Sequence, residues 1–244
     1  MAASDKNGDA VLPRLTADHW AELDTQVAQG DFWEFLTPSH FARPSQELAA
    51  FGQAIHCERG VDPLTTVRTI KRKIYEHFDY DTESTEVDSP IEQALRMRRG
   101  VCQDFAHIMI TLLRELRIPA RYVSGYTFHS RTKDRSVEGA THAWVEAFLP
   151  RVGWLGIDPT NRLIASERHV RMAIGRDYAD VPPTRGVFKG GGAGKLSVSV
   201  KVTLSDAPLA AQEEPTTETW TPAPEPEQVL AGPFHHHQQQ QQQQ

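Results

Sequence analysis

The stretch that decides the fold is "RRGVCQDFAHIMITLLREL", residues 98–116. Its apolar residues recur at helical spacing and cover well over one face, which predicts a central, buried helix. Gly100 and Cys102 stand where that helix begins. Because the positive end of a helix favours a thiolate, Cys102 is either a small buried side chain or a nucleophile placed to react.

Helical signals precede this stretch. Residues 45–58 carry apolar side chains at helical spacing, and a second helix is expected to open with Asp62 as N-cap and Pro63 in its first turn. The spacing of Ser89 and Glu92 predicts a capping box for a third, short helix. We expect Gly100 to end that helix in a left-handed conformation.

Strand signals follow the central helix, which Pro119 is expected to stop. Alternation with a period of two predicts strands at 121–128, 141–149, 153–159 and 196–204, and a short helix is expected at 166–174. Helices followed by antiparallel strands indicate an α+β domain, in which the central helix packs on an antiparallel sheet.

The chain divides by composition into three parts. Residues 1–44 lack sustained periodicity and are expected to form a partly ordered lead-in with one short helix near 16–28. Residues 45–205 form the main domain. Residues 206–244 are rich in Pro, Glu and Gln and are expected to be disordered.

Composition excludes several classes of function. The net charge is −6, with both signs interspersed, so no basic surface is expected to bind nucleic acid. No apolar run approaches the length of a membrane span, and membrane partners are not expected. Only two cysteines occur, Cys57 and Cys102, which indicates individual thiols in a reducing compartment, with the cytoplasm as the expected location.

A nucleophilic cysteine needs a base and a group that orients the base. His142 begins a predicted strand and shares one face with Trp144, while Asp158 lies near the end of the next strand. If these strands pair and turn those faces toward the helix start, Cys102, His142 and Asp158 converge. With eleven histidines in the chain, spacing alone leaves other arrangements open.

Two longer blocks carry a resemblance. "GVCQDFAHIMITLLRELRIPARYVSGY" and "THAWVEAFLPRVGWLGIDPTN" resemble the transglutaminase-like superfamily, and within it the bacterial members of the papain-like cysteine clan. The resemblance covers roughly residues 60–165. It implies a papain-like core in which Cys102 is the nucleophile, His142 the general base and acid, and Asp158 the orienter, with no metal or organic cofactor.

The resemblance also implies an activity. We expect a peptide or protein amide as substrate, with hydrolysis favoured over glutamine cross-linking, and a non-catalytic peptide-binding module is the rival interpretation. Gln103 is a candidate substrate contact, and Trp144 is expected to line or shield the site. Asp104 would oppose a thiolate if it faced Cys102, so it is expected to point away and to fix a neighbouring loop.

The front of the chain departs from this family. Its members commonly carry a β-rich domain ahead of the catalytic one, whereas some forty residues precede the first strong helix here. The departure concerns substrate selection more than chemistry.

Overall fold

Helices precede the main sheet along the chain, as predicted. The structure is a computed structural model and describes residues 12–128, 134–136, 140–182 and 200–202. Its α-helices are α1 (His19–Gln29), α2 (Gln46–Ala54), α3 (Pro63–His77), α4 (Ile91–Met97) and α5 (Cys102–Glu115). Its strands are β1 (Asp79–Tyr80), β2 (Arg99–Gly100), β3 (Ala120–Thr127), β4 (His142–Leu149), β5 (Gly153–Asp158), β6 (Leu163–Ile164) and β7 (His169–Gly175).

The main sheet has the strand order β6-β5-β4-β3-β7, and each neighbouring pair is antiparallel. The strands predicted at 121–128, 141–149 and 153–159 are β3, β4 and β5, which lie in its middle. The predicted α+β class is therefore confirmed. A separate parallel pair, β1 and β2, was not predicted, because two-residue strands leave no periodic signal.

The central helix α5 packs on one face of the sheet. Tyr122 of β3 stands opposite Val145 of β4, and its ring stacks on His107 of α5 with 5.0 Å between centroids. Both Val145 in β4 and Met109 in α5 are fully buried. Each large apolar side chain buried in this way contributes roughly 1.5–3 kcal/mol to stability.

The opposite face of the sheet is partly covered by the lead-in. Phe32 lies 4.6 Å from the ring of Phe148 in β4, and Phe35 meets the ring of Trp154 in β5 edge-on at 5.3 Å. The lead-in also supplies α1, close to the helix predicted near 16–28, whose Leu23 is fully buried. The described part of the lead-in therefore packs against the main domain.

Arg114, near the end of α5, fastens these parts together. Its guanidinium is buried and donates to the backbone carbonyls of Phe35, Thr37, Ala120 and Arg176. Burial lowers the pKa of Arg114 to about 10. The charge is satisfied by carbonyl dipoles, which hold the lead-in, β3 and the end of β7 against one helix.

Two local predictions about the ends of α4 require correction. Asp62 caps α3 as expected, with its carboxylate accepting the Thr65 N–H at 2.9 Å, but Ser89 does not cap α4. The Ser89 hydroxyl instead accepts the Glu86 N–H at 2.9 Å, and Pro90 occupies the cap. The left-handed residue after α4 is Arg98, with φ of 55°, because Gly100 is already part of β2.

The helix predicted at 166–174 is also wrong, since this segment is strand β7. Most of the strand predicted at 196–204, and all of the predicted tail from 206, lie outside the described residues. In the part of the chain that the structure describes, no helix is both long and apolar enough to cross a membrane.

Candidate active site

Cys102 is the first residue of α5 and is partly buried. Val101 before it is extended, and β2, which pairs with β1, leads the chain into the helix. A Cβ atom on Gly100 would lie 2.8 Å from Asp104 Oδ2, so only glycine allows this close approach. The helix start therefore fixes the position of the thiol beside unpaired backbone N–H groups.

Asp104 and Gln103 tie the helix start to the loop before α4. Asp104 Oδ2 accepts the hydroxyl of Thr85 at 2.6 Å and the N–H of Val101 at 2.8 Å. The expectation that Asp104 fixes a neighbouring loop is confirmed, and its direction relative to the Cys102 thiol stays a prediction. Gln103 donates its amide N–H to the carbonyl of Val87 at 2.8 Å, and its contact with substrate stays a prediction.

His142 and Asp158 form a buried pair across β4 and β5. His142 Nε2 lies 2.9 Å from Asp158 Oδ2, and the two side chains are 2% and 0% exposed. The strands pair as predicted, with Val145 opposite Ile157, which brings the start of β4 beside the end of β5. The structure therefore brings together this histidine and this aspartate, which lie 16 residues apart in sequence.

The Asp158 carboxylate is surrounded by donors. Oδ1 accepts the backbone N–H groups of Thr160 at 2.9 Å and Asn161 at 3.1 Å. Oδ2 accepts the Asn161 side-chain amide at 2.9 Å and lies 3.3 Å from His169 Nε2, in addition to His142. Burial alone would raise the pKa of Asp158, but His142 and His169 hold it well below its usual range.

The sequence analysis missed Thr160, Asn161 and His169 as neighbours of the site. An aspartate followed by Pro-Thr-Asn favours a local turn in which its carboxylate accepts the backbone N–H groups two and three residues further on. The contacts of Asp158 with Thr160 and Asn161 could therefore have been predicted from the sequence. His169 comes from β7, which was predicted as a helix, so its position depended on tertiary pairing.

The electrostatics of His142 link it to Cys102. Burial acts to lower the pKa of His142, but the charge and hydrogen bond of Asp158, with a further contribution from Cys102, raise it to about 10. Nδ1 of His142 is buried and has no hydrogen-bond partner among the described residues. Since Nε2 is taken by Asp158, Nδ1 is the ring atom available to the Cys102 proton.

Trp144 lies beside the His142 ring and is 1% exposed. The two rings stack with 6.1 Å between centroids, and the edge of Trp144 meets His169 at 5.2 Å. A Cβ on Gly125 would lie 2.6 Å from Trp144, so this glycine admits the indole. Trp144 forms a buried wall of the site, and direct contact with substrate stays a prediction.

His107 has a packing role in the core. Its ring lies between Phe41 and Tyr122, with centroid distances of 5.3 and 5.0 Å, and Nε2 accepts the N–H of Tyr178 at 3.2 Å. Burial lowers the pKa of His107 to about 3, so the ring is neutral. It serves as an acceptor within the core.

By position alone, His142, Asp158 and His169 are also a possible metal group, because their ligand atoms lie within 4.8 Å of one another. The carboxylate, however, already accepts five hydrogen bonds, two on Oδ1 and three on Oδ2. A cation would have to displace these donors. The donor set fits a carboxylate held as an anion better than it fits a metal centre.

The raised pKa of His142 predicts a pH dependence of stability. Between about 6.5 and 10 the folded ring keeps a proton that the unfolded ring loses. The stabilisation is therefore complete below 6.5 and is lost as the pH rises through 10. The free energy of unfolding is expected to fall by up to about 1.4 kcal/mol per pH unit in this window.

Urea denaturation of the wild type and of His142→Gln across this pH window measures the effect. The glutamine amide keeps a donor near Asp158 but does not titrate, so the wild-type curve should fall more steeply than the variant curve. Parallel curves would show that folding brings no net uptake of a proton at His142, either because the ring is neutral or because its proton is the one that Cys102 gives up.

The chain is similar in sequence to known proteins. The sequence pattern of the Transglutaminase-like superfamily matches residues 55–159, which include Cys102, His142 and Asp158. An uncharacterised protein of Mycobacterium leprae is 36% identical over 197 residues, which cover 80% of this chain and 69% of that protein.

Two further proteins carry functional names. A Protein-glutamine gamma-glutamyltransferase of Pseudomonas aeruginosa is 33% identical over 124 residues, covering 46% of this chain and 19% of that protein. The crystal structure of a candidate cysteine protease from Cytophaga hutchinsonii has a TM-score of 0.56 at 30% identity, covering 72% of this chain and 58% of that chain. The chain thus spans only part of the length of each of these relatives.

Proposed function

The chain belongs to the transglutaminase-like superfamily, and we propose that it is a thiol enzyme that hydrolyses an amide bond of a peptide or protein. One observation carries the proposal. His142 is held through Nε2 by a buried carboxylate, and its other nitrogen has no described hydrogen-bond partner and is left for Cys102 at a helix start. This is the arrangement that nucleophilic catalysis by a thiol requires.

In the proposed mechanism the proton of Cys102 already rests on His142 Nδ1, in line with the raised pKa of the ring, and the thiolate attacks the carbonyl carbon of the amide. A protonated Nδ1 that is buried without a partner is costly, and a Cys102 thiolate would satisfy it. The backbone N–H of Cys102 donates to the oxyanion, because the first N–H groups of a helix have no acceptor inside it.

The tetrahedral intermediate then collapses to a thioester. The carbon–nitrogen bond breaks, and the leaving amine takes its proton from His142. Water next attacks the thioester and gives a proton to His142, and the carboxylic acid product leaves as the thiol is restored. Asp158 remains ionised throughout and fixes the orientation of the ring.

Transfer of the acyl group to a lysine amine is the second candidate activity. It shares every step up to the thioester, and the name of the Pseudomonas aeruginosa relative supports it. Hydrolysis is favoured because the Cytophaga hutchinsonii neighbour, named for protease activity, covers 72% of this chain against 46% for the transferase. The two candidate activities differ only in the molecule that takes the acyl group from the thioester, which is water in hydrolysis and a lysine amine in transfer.

Alkylation tests whether the chain is a thiol enzyme at all. Iodoacetamide at pH 7 is expected to label Cys102 selectively, with Cys57 as the internal control. Cys57 is partly buried, and this desolvation with the nearby Glu115 charge raises its pKa to about 12. Equal and slow labelling of both thiols, read by mass spectrometry of tryptic peptides, would instead support a non-catalytic binding module.

The fate of the thioester is tested with a glutamine-containing peptide and a labelled primary amine. We expect free acid and ammonia as the main products. The Cys102→Ser variant is the control, since it keeps the shape of the site and loses the thiol. Amine incorporated as the dominant product would replace hydrolysis by acyl transfer.

A further inference from the structure

A second histidine touches the carboxylate that orients His142. His169 is the first residue of β7, its side chain is 1% exposed, and its Nε2 lies 3.3 Å from Asp158 Oδ2. The strand β7 pairs with β3, not with β4 or β5, so His169 reaches Asp158 from a different part of the sheet.

The hydrogen bonds of His169 define its tautomer. Its Nδ1 accepts the backbone N–H of Ser166 at 3.3 Å, and a backbone N–H can only donate. Nδ1 therefore carries no proton, and the proton of the ring lies on Nε2, directed at Asp158. The backbone N–H of His169 donates to the backbone carbonyl of Ser166 at 2.9 Å, and this second bond closes a turn that fixes the position of the ring.

This tautomer makes His169 a neutral donor and not a second base for Cys102. Both histidines approach the same oxygen of Asp158, His142 at 2.9 Å and His169 at 3.3 Å. The edge of Trp144 also meets the His169 ring at 5.2 Å, and Trp144 stacks beside His142. His169 thus contacts two of the groups that surround His142, namely Asp158 and Trp144.

We propose that His169 is a positioning residue, which fixes the Asp158 carboxylate through its Nε2–H and so keeps Nδ1 of His142 directed at Cys102. The inference deepens the proposed function and rests on it. A carboxylate on a short side chain can rotate about its own axis, and donors arriving from a separate strand restrict that rotation. Outer groups of this kind orient the histidine that does the chemistry.

The test compares two substitutions of His169 that introduce the same side-chain amide on side chains of different length. In His169→Gln the side-chain amide reaches about as far as Nε2 and keeps a donor for Asp158. In His169→Asn the amide reaches only as far as the position of Nδ1, so Asp158 loses this donor. Alkylation of Cys102 by iodoacetamide at pH 7 is expected to slow about 10-fold or more in the asparagine variant and to stay within about 3-fold of wild type in the glutamine variant.

A second readout does not depend on the thiol. The Nε2 proton that His142 shares with Asp158 should give a far-downfield proton resonance, assigned by its loss in His142→Gln. We expect this resonance to persist in His169→Gln and to move upfield or broaden in His169→Asn. A merely structural role for His169 would leave it unchanged as long as the protein is folded.

The outcomes separate the inference from the proposed function. Equal alkylation rates and an unchanged resonance in both variants would overturn the positioning role, as would equal losses in both with Cys57 still protected. If Cys57 becomes labelled in the asparagine variant, that variant has opened, and the glutamine variant decides: persistence of its resonance supports the positioning role, and loss of the resonance in the folded protein overturns it. Absence of selective Cys102 labelling in the wild type would overturn the proposed function, while the resonance would still report on His169.

Discussion

Replacing His142 by glutamine is expected to slow the alkylation of Cys102 at pH 7 by about 30-fold, because an ordinary thiol with a pKa of about 8.5 is only about 3% ionised at that pH. In the wild type, the pKa of His142 is raised to about 10, mainly by Asp158 against the effect of burial, so the ring can stay protonated beside a thiolate. Without the imidazole, Cys102 has no acceptor for its proton among the groups described at the site. The rate should then approach that of an ordinary thiol.

Glutamine is preferred to alanine because Asp158 is fully buried. Alanine would leave the carboxylate without the donor it has at 2.9 Å, and unfolding could then be mistaken for lost chemistry. Cys57 again reports on folding, since it lies outside the site. An unchanged Cys102 rate in a folded His142→Gln protein would show that another group activates the thiol.

The parts of the fold that were predicted correctly are those with long periodic patterns. The helix α5 and the strands β3, β4 and β5 each have a continuous apolar pattern bounded by Gly or Pro, so local sequence was sufficient. The strand β7 has an alternating pattern as well, with Val170, Met172 and Ile174 in every second position. Those side chains are exposed, and the strand exists because it pairs with β3, which no local window records.

Cys102, His142 and Asp158 were predicted as site residues from spacing and resemblance, and the structure brings His142 against Asp158. Cys102 contributes to the raised pKa of the His142 ring, and its role as nucleophile stays a prediction. The prediction turned the Trp144 side of β4 toward the helix, whereas α5 packs on the Val145 side. His142 is the first residue of β4, so it lies at the end of the strand, where the helix start can be close.

Polar contacts made across the fold were the least predictable. Arg114 appears in sequence as an ordinary charge near a helix end, yet it donates to four carbonyl groups from three separate segments. His169 was assigned to a helix for want of any signal that it would meet Asp158. Such contacts depend on where distant segments of the chain come together, which a local window of sequence does not record.

The cytoplasmic location expected from composition stays a prediction.

Replacing Asp158 by asparagine is expected to lower turnover of a glutamine-containing peptide about 10³- to 10⁴-fold, the effect that a wrongly oriented base produces. All five groups that contact the carboxylate are donors, or act as donors toward it. An asparagine amide keeps one oxygen for them and directs an NH₂ group at the rest. If its oxygen faces Thr160 and Asn161, the NH₂ faces His142 Nε2 and favours the tautomer that carries its proton on Nδ1.

That tautomer cannot accept the proton of Cys102, so the thiol stays in place while its activation is lost. Labelling of Cys102 at pH 10, where an ordinary thiol is largely ionised, should therefore remain close to wild type even as turnover falls. Asp62→Asn is the matched control, because Asp62 is also a buried aspartate but caps α3, so its loss should lower stability and leave the rate at the folded site unchanged. Normal turnover in folded Asp158→Asn would mean that the ring is oriented by another group, whereas loss of Cys102 labelling at pH 10 would mean that Asp158 holds the helix start itself and not only His142.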